Sequence, residues 1–186
     1  MKNWELTDTD FYDDNYEEYE YTRKVMWKNH EIKIILICNN ENKVSEAEIE
    51  EIEEIVDKIM ENKDYWDKKC KNLFADKFVD WFNEEKWVKP EYSEIYYENK
   101  DISDVEKKLI EIIGKEDTEK IMKNNFLTKE AFKKLLDNED MEITIDLNDG
   151  DKDTFVIAMH ERLFFVDKMF YAYCNFNGEI DEFYMD

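Results

Sequence analysis

The chain changes hydrophobic period twice along its length. Tyr21 to Lys28 and Glu31 to Cys38 are two strand-like runs around Asn29-His30. In the second, Ile32, Ile34, Leu36 and Cys38 fall on one face and Lys33, Ile35 and Ile37 on the other. That alternation predicts a hairpin whose second strand is buried on both faces near its end. Ser45 followed by Glu48 then has capping-box spacing, and Ile49, Ile52, Val56 and Ile59 recur on one face of the helix it would open. A second helix from about Asp64 carries Trp66, Cys70, Leu73, Phe74, Phe78, Trp81 and Phe82 at spacings of three and four. Each such side chain contributes roughly 1.5 to 3 kcal/mol when buried, so this aromatic stripe is expected to anchor the core.

The segment from Trp87 to Lys100 holds the only proline, Pro90, and a Tyr92-Tyr96-Tyr97 cluster, and reads as a loop. Ser103 and Glu106 repeat the capping-box spacing before Val105, Leu109, Ile112 and Ile113, and Gly114 is a natural stop. Short helices are predicted near 116–124 and 128–137. The period of two then returns. Met141, Ile143, Ile145 and Leu147 alternate with polar residues, Asn148-Asp149-Gly150-Asp151 reads as a turn, and Phe155, Ile157 and Met159 alternate in the next strand. The run from Leu163 to Phe176 should hold another strand, and Asn177-Gly178 is a strong hairpin turn. The fold class expected is α+β: an antiparallel sheet of about five strands, the N-terminal hairpin plus the C-terminal strands, packed under several helices. Residues 1–20 interleave acids with aromatics and read as an N-terminal extension. Residues 21–186 read as a single domain with a partly helical insertion near 88–125.

Charge adds what periodicity does not. Forty-nine Asp and Glu face 26 Lys and Arg, a formal net charge of -23 on 186 residues. Apolar residues are nonetheless 42% of the chain and aromatics 15%, enough to build a core, so a folded domain with a strongly negative surface is expected. Such a surface repels nucleic acid and anionic membranes, and attracts basic proteins over about 8 Å, the Debye length at physiological salt. With 3 glycines and 1 proline there is no GxGxxG and no GxxxxGK, which removes the familiar nucleotide loops. The opening Met1-Lys2-Asn3-Trp4 turns acidic at once, unlike a secretory signal, and no apolar run approaches the roughly 20 residues of a membrane span. The three cysteines, Cys38, Cys70 and Cys174, sit apart in apolar contexts and read as buried reduced thiols of a cytoplasmic protein.

Catalytic signatures are sparse. His30 and His160 have no Ser or Cys motif nearby, and the sequence lacks HExxH and Cys-x-x-Cys. Asp149, Asp151 and Asp153 fit positions 1, 3 and 5 of a calcium loop, but the glycine at position 6 and the glutamate at position 12 are Thr154 and His160. An acidic turn explains that stretch better. A carboxylate-metal enzyme built on those three aspartates is the alternative from the enzyme class, and a plain acidic regulatory module is the other. The leading expectation is neither an enzyme nor a cofactor protein. Acids interleaved with tyrosines can occupy a basic nucleic-acid groove in place of nucleic acid. The residues expected to bind such a partner are Tyr12, Asp13, Asp14, Tyr16, Glu17 and Glu18 in the extension, with Glu50, Glu53 and Glu54 on the first helix. Tyr92 and Tyr96 are further candidate anchors.

Several segments also resemble a family. They are Val25-Met26-Trp27 continuing through His30 to Cys38, the Ile49 to Met60 helix, and Tyr65-Trp66-Asp67 opening the aromatic helix. Phe126 to Leu136, Met141 to Leu147, Leu163-Phe164-Phe165 and Asn175-Phe176-Asn177-Gly178-Glu179-Ile180 complete the pattern. Together they resemble an uncharacterised bacterial family of domains of unknown function, seen among candidate immunity proteins of polymorphic toxin systems. The resemblance implies no catalytic residues. Residues 1–20 and the segment near 88–125 depart from it and could be specific to one partner. Charge and resemblance together predict an acidic inhibitory protein that neutralises a basic, nucleic-acid-acting protein, a nuclease or toxin, by occupying its positive surface. Two settings fit, a toxin immunity protein or a phage-encoded inhibitor of a nuclease defence such as CRISPR.

Overall fold

The computed structural model describes residues 4–13, 16–39, 46–99, 101–148, 154–161, 163–165 and 168–186. Strands β1 (Glu5–Asp13), β2 (Tyr16–Trp27) and β3 (His30–Asn39) open the chain. Helices α1 (Glu46–Glu61), α2 (Lys63–Glu84), α3 (Glu94–Asn99), α4 (Ile102–Ile113), α5 (Lys115–Asn124) and α6 (Lys129–Leu135) follow. Strands β4 (Asp137–Asp146), β5 (Thr154–His160), β6 (Met169–Asn175) and β7 (Ile180–Met185) close it. The α+β class holds.

The sheet corrects the expected count. Among the described residues it has seven strands, not about five, in the order β1-β2-β3-β4-β5-β6-β7. It is also mixed, because β3 and β4 run parallel, with Ile34 beside Ile143 and Leu36 beside Ile145. Parallel neighbours need a long crossover, and here the six helices found among the described residues lie in the connection between them. One strand missed by the hydrophobic pattern is β1, in the acidic stretch whose like charges argue against independent folding. It pairs antiparallel with β2, which runs across the 20/21 boundary drawn from composition. The Trp87–Lys100 segment contains a 3₁₀ turn over Pro90–Tyr92 and the short α3.

The residues group into two compact units. The first comprises Met1–Trp66, Asn138–Ala158 and Tyr171–Tyr184. Its core includes Trp27, Ile32, Ile34, Leu36, Ile143, Ile157 and Ala172 of the strands and Ile52, Val56 and Ile59 of α1, all buried. Trp66 meets Phe155 edge-on at 5.1 Å. The second comprises Asp67–Asp137, Met159–Phe170 and Met185–Asp186. Phe82 is its hub, stacked on Phe165 at 4.2 Å and edge-on to Phe132 at 5.8 Å. Trp81, expected in the core, is instead turned outward and contacts Trp87 at 4.6 Å.

Local chemistry sets the helix ends of the second unit. Asp101, not Ser103, caps α4, accepting from the Ser103 N–H at 2.8 Å. Gly114 ends that helix with φ 89°, as expected of the residue there. Thr128 caps α6 through the Ala131 N–H. The buried Glu161 carboxylate plays a similar part in a loop, accepting from the N–H groups of Leu163, Phe164 and Phe165 at 2.9–3.1 Å. All three cysteines are buried and none forms a disulfide. Ser45 and residues 149–153, which include most of the turn expected at 148–151, lie outside the described residues.

Candidate functional site

Register decides which side chains share each face of the first unit. In β2 and β3, Tyr21 stands opposite Leu36, Arg23 opposite Ile34 and Val25 opposite Ile32, so these odd-numbered β2 residues belong to the core face. Burial, and after it the nearby Cys38, push the Tyr21 phenol above its ordinary value. Glu20, Thr22 and Lys24 stand opposite Ile37, Ile35 and Lys33, and these define the outer face. The parallel pairing continues that face into β4, with Ile35 beside Thr144 and Ile37 beside Asp146. Ile35 and Ile37 are half-buried, so β3 is not buried on both faces as its apolar pattern suggests.

Beyond β4 the outer face becomes aromatic. In β6, Phe170, Ala172 and Cys174 are buried while Tyr171 and Tyr173 between them are half-exposed. Tyr184 of β7 stacks on Tyr171 at 4.7 Å with 21° between the rings, and lies 6.0 Å from Tyr173. These rings, with Ile37, Thr144, Asp146, Thr154 and Val156, line a groove of about 240 Å³. The Asp146 carboxylate on its wall accepts from the Asn148 N–H at 2.8 Å, which fixes one oxygen.

The electrostatics of this face are lopsided. By register it carries Glu5, Glu20, Glu31, Glu142 and Asp146 against Lys24 and Lys33. Both lysines already face acids: Lys24 is 2.8 Å from Glu31, whose hydrogen bond raises the lysine's pKa, and Lys33 is 3.9 Å from Glu142. Glu20 is steadied by the Thr7 hydroxyl at 3.1 Å. The strand pairing also sets Asp8 opposite Glu20 and Asp10 opposite Glu18.

The residues expected from sequence to bind a partner fall in two places. Tyr12 and Asp13 end β1, and Tyr16, Glu17 and Glu18 begin β2, with Asp13 paired to Tyr16. Asp14 lies outside the described residues. Glu50, Glu53 and Glu54 are on α1. Glu50 and Glu54 are exposed, whereas both Glu53 oxygens are engaged. One accepts from the indole N–H of Trp4 at 3.1 Å and the other from the Arg23 guanidinium. Arg23 lies five residues along β2 from Glu18, roughly 17 Å at the rise of an antiparallel strand. The hairpin tip and the Glu53 contact are therefore separate points on the unit. Tyr92 is exposed and Tyr96 half-buried.

A second cleft of about 330 Å³ is lined by Lys58, Asn62, Tyr65, Trp66 and the 176–178 turn. The Tyr65 hydroxyl donates to the Gly178 carbonyl at 2.6 Å and so pins that turn. Among the described residues no group of three or more His, Cys, Asp or Glu side chains is arranged to hold a metal ion, and no helix is long and apolar enough to cross a membrane. His30 begins β3 and His160 ends β5. Asp149, Asp151 and Asp153 lie outside the described residues.

Ile35, Ile37, Tyr171, Tyr173 and Tyr184 were not among the expected contact residues. The signal for the tyrosines of β6 was present, since they alternate with Phe170, Ala172 and Cys174. Comparison of the chain with protein-family models, curated proteins and solved structures finds no match.

Proposed function

We propose that this protein is an acidic inhibitory binding protein that neutralises a basic, nucleic-acid-acting protein by occupying its positive surface. The observation that carries the reading is the register of the β1–β2 hairpin, which sets Asp8 opposite Glu20 and Asp10 opposite Glu18. Like charges directly across a strand pair oppose folding. A chain under selection for stability alone has no reason to stack them on an edge strand that already belongs to a protein of net charge -23. A cationic partner removes the repulsion on binding, so part of the electrostatic cost carried by the free fold returns as binding free energy. Exposed Glu50 and Glu54 on α1 extend the negative surface.

Attraction of this kind acts first on the encounter. Steered association reaches about 10⁸ M⁻¹s⁻¹ at low salt and falls steeply with ionic strength. The partner class is a nuclease or toxin whose own positive groove ordinarily receives phosphates. The pattern resemblance to an uncharacterised family seen among candidate immunity proteins suggests a toxin, and a phage-encoded inhibitor of a nuclease defence obeys the same physics. A tagged pull-down from nuclease-treated host lysate at two salt concentrations tests this. The expected result is one basic nuclease or toxin, retained at low salt and released at high salt. An empty low-salt eluate contradicts the reading.

A further inference from the structure

We propose that the outer-face groove between Ile37, Asp146, Tyr171 and Tyr184 is a docking site for an arginine side chain presented by the basic partner. This inference rests on the function proposed above and gives that binding a place and a side-chain preference.

The geometry suits one flat, cationic head group on an apolar stem. The groove, about 240 Å³, lies below the 300–1,000 Å³ typical of sites that enclose a small organic ligand. Its aliphatic lining comes from Ile37 and Val156, where the methylene stem of a long side chain can lie. Tyr171 and Tyr184 are stacked nearly parallel, Tyr184 exposed and Tyr171 half-buried. Asp146 supplies a carboxylate already oriented by the Asn148 N–H. A guanidinium matches all three features. It is planar, stacks on aromatic rings, donates in a fork to a carboxylate and is more weakly hydrated than an ammonium.

Charge complementarity points the same way. By register acids outnumber lysines on this face, and Lys24 and Lys33 each have an acidic neighbour. Phosphate-bearing ligands are repelled from such a face, although its tyrosines would otherwise serve as stacking platforms for bases. The combination of aromatic rings with surplus carboxylate selects an arginine-bearing protein segment.

The test is calorimetric titration with two capped octapeptides, one alternating Arg with Ser and one alternating Lys with Ser. They carry equal charge, so general attraction to the acidic protein cancels in the ratio of their affinities. The wild-type protein is expected to bind the arginine peptide roughly tenfold more tightly. Tyr184→Ala and Asp146→Asn should each bring the ratio close to one, while Tyr184→Phe, which keeps the stack, should preserve it. The pair Glu50→Lys and Glu54→Lys should weaken both peptides and leave the ratio unchanged. In the unaltered protein, the ring resonances of Tyr171 and Tyr184 should shift on titration with the arginine peptide. A ratio near one in the wild type, or unmoved tyrosine resonances on binding, overturns the arginine site and leaves the acidic-inhibitor reading intact. Failure of both peptides to bind at low salt overturns both.

Discussion

The Glu53 carboxylate accepts a hydrogen bond from the Arg23 guanidinium, tying the middle of the first helix to the middle of the second strand. Trp4 donates to the other oxygen of the same carboxylate, so the start of β1 is held there too. Glu53 is thus a structural fastener, although it sits on the acidic face of α1 among residues expected to meet a partner. Glu53→Gln should lower stability by about 1 kcal/mol, because both contacts are only part-buried and the amide keeps one acceptor. Glu50→Gln and Glu54→Gln should leave the urea midpoint unchanged. A Glu53→Gln variant as stable as the other two would show that the contact contributes nothing.

The hairpin register makes a prediction of opposite sign. Asp10→Lys replaces the like-charge pair with Glu18 by an opposite-charge pair, and should raise stability by about 0.5–1 kcal/mol. The gain should shrink in high salt, as expected for exposed charges. The same substitution should weaken binding of the basic partner. Urea denaturation at two salt concentrations checks the first effect and titration with the captured partner checks the second.

Acid should act at groups such as Asp101. Hydrogen bonds from the Ser103 side chain, then from its backbone N–H, hold this carboxyl below its ordinary 3.8. A carboxyl with a lowered folded pKa contributes stability above its unfolded pKa and loses it as pH falls through the folded value. Asp101→Ala should therefore lower the melting temperature at neutral pH, with the difference from wild type shrinking as acid protonates the cap. A difference independent of pH would contradict the charged cap.

Glu161 offers the sharpest stability test. Its buried carboxylate receives three backbone N–H groups, and Glu161→Ala would strand them. A loss of about 3 kcal/mol or more is expected, with Glu161→Gln losing less because one carbonyl oxygen remains. Equilibrium denaturation of both variants checks the order.

Much of the fold was legible because burial writes itself into period. Ile32, Ile34, Leu36 and Cys38 announce β3, and Met141, Ile143 and Ile145 announce β4. Their parallel pairing has no local signature, since it depends on a crossover of roughly a hundred residues. Strand β1 was missed because Asp8, Asp10 and Asp13 lower its apolar content below that of a typical strand, and its pairing with β2 supplies what its composition lacks. The outer face was half visible. The apolar pattern places Ile35 and Ile37 on a second buried surface, but only the assembly of β3 to β7 into one sheet brings Ile37 to the same groove as Tyr171 and Tyr184. Glu53 shows the converse: its acidic neighbours mark it as surface, and its tie to Arg23 is a contact between distant segments that no spacing rule reveals.

Inhibition of the basic partner is read out most directly by nucleic-acid cleavage. The captured basic partner should be assayed with increasing amounts of this protein across a range of ionic strength. Inhibition complete at a one-to-one ratio at low salt, and progressively relieved as salt rises, is the predicted result. Undiminished cleavage by partner fully bound to this protein would contradict it.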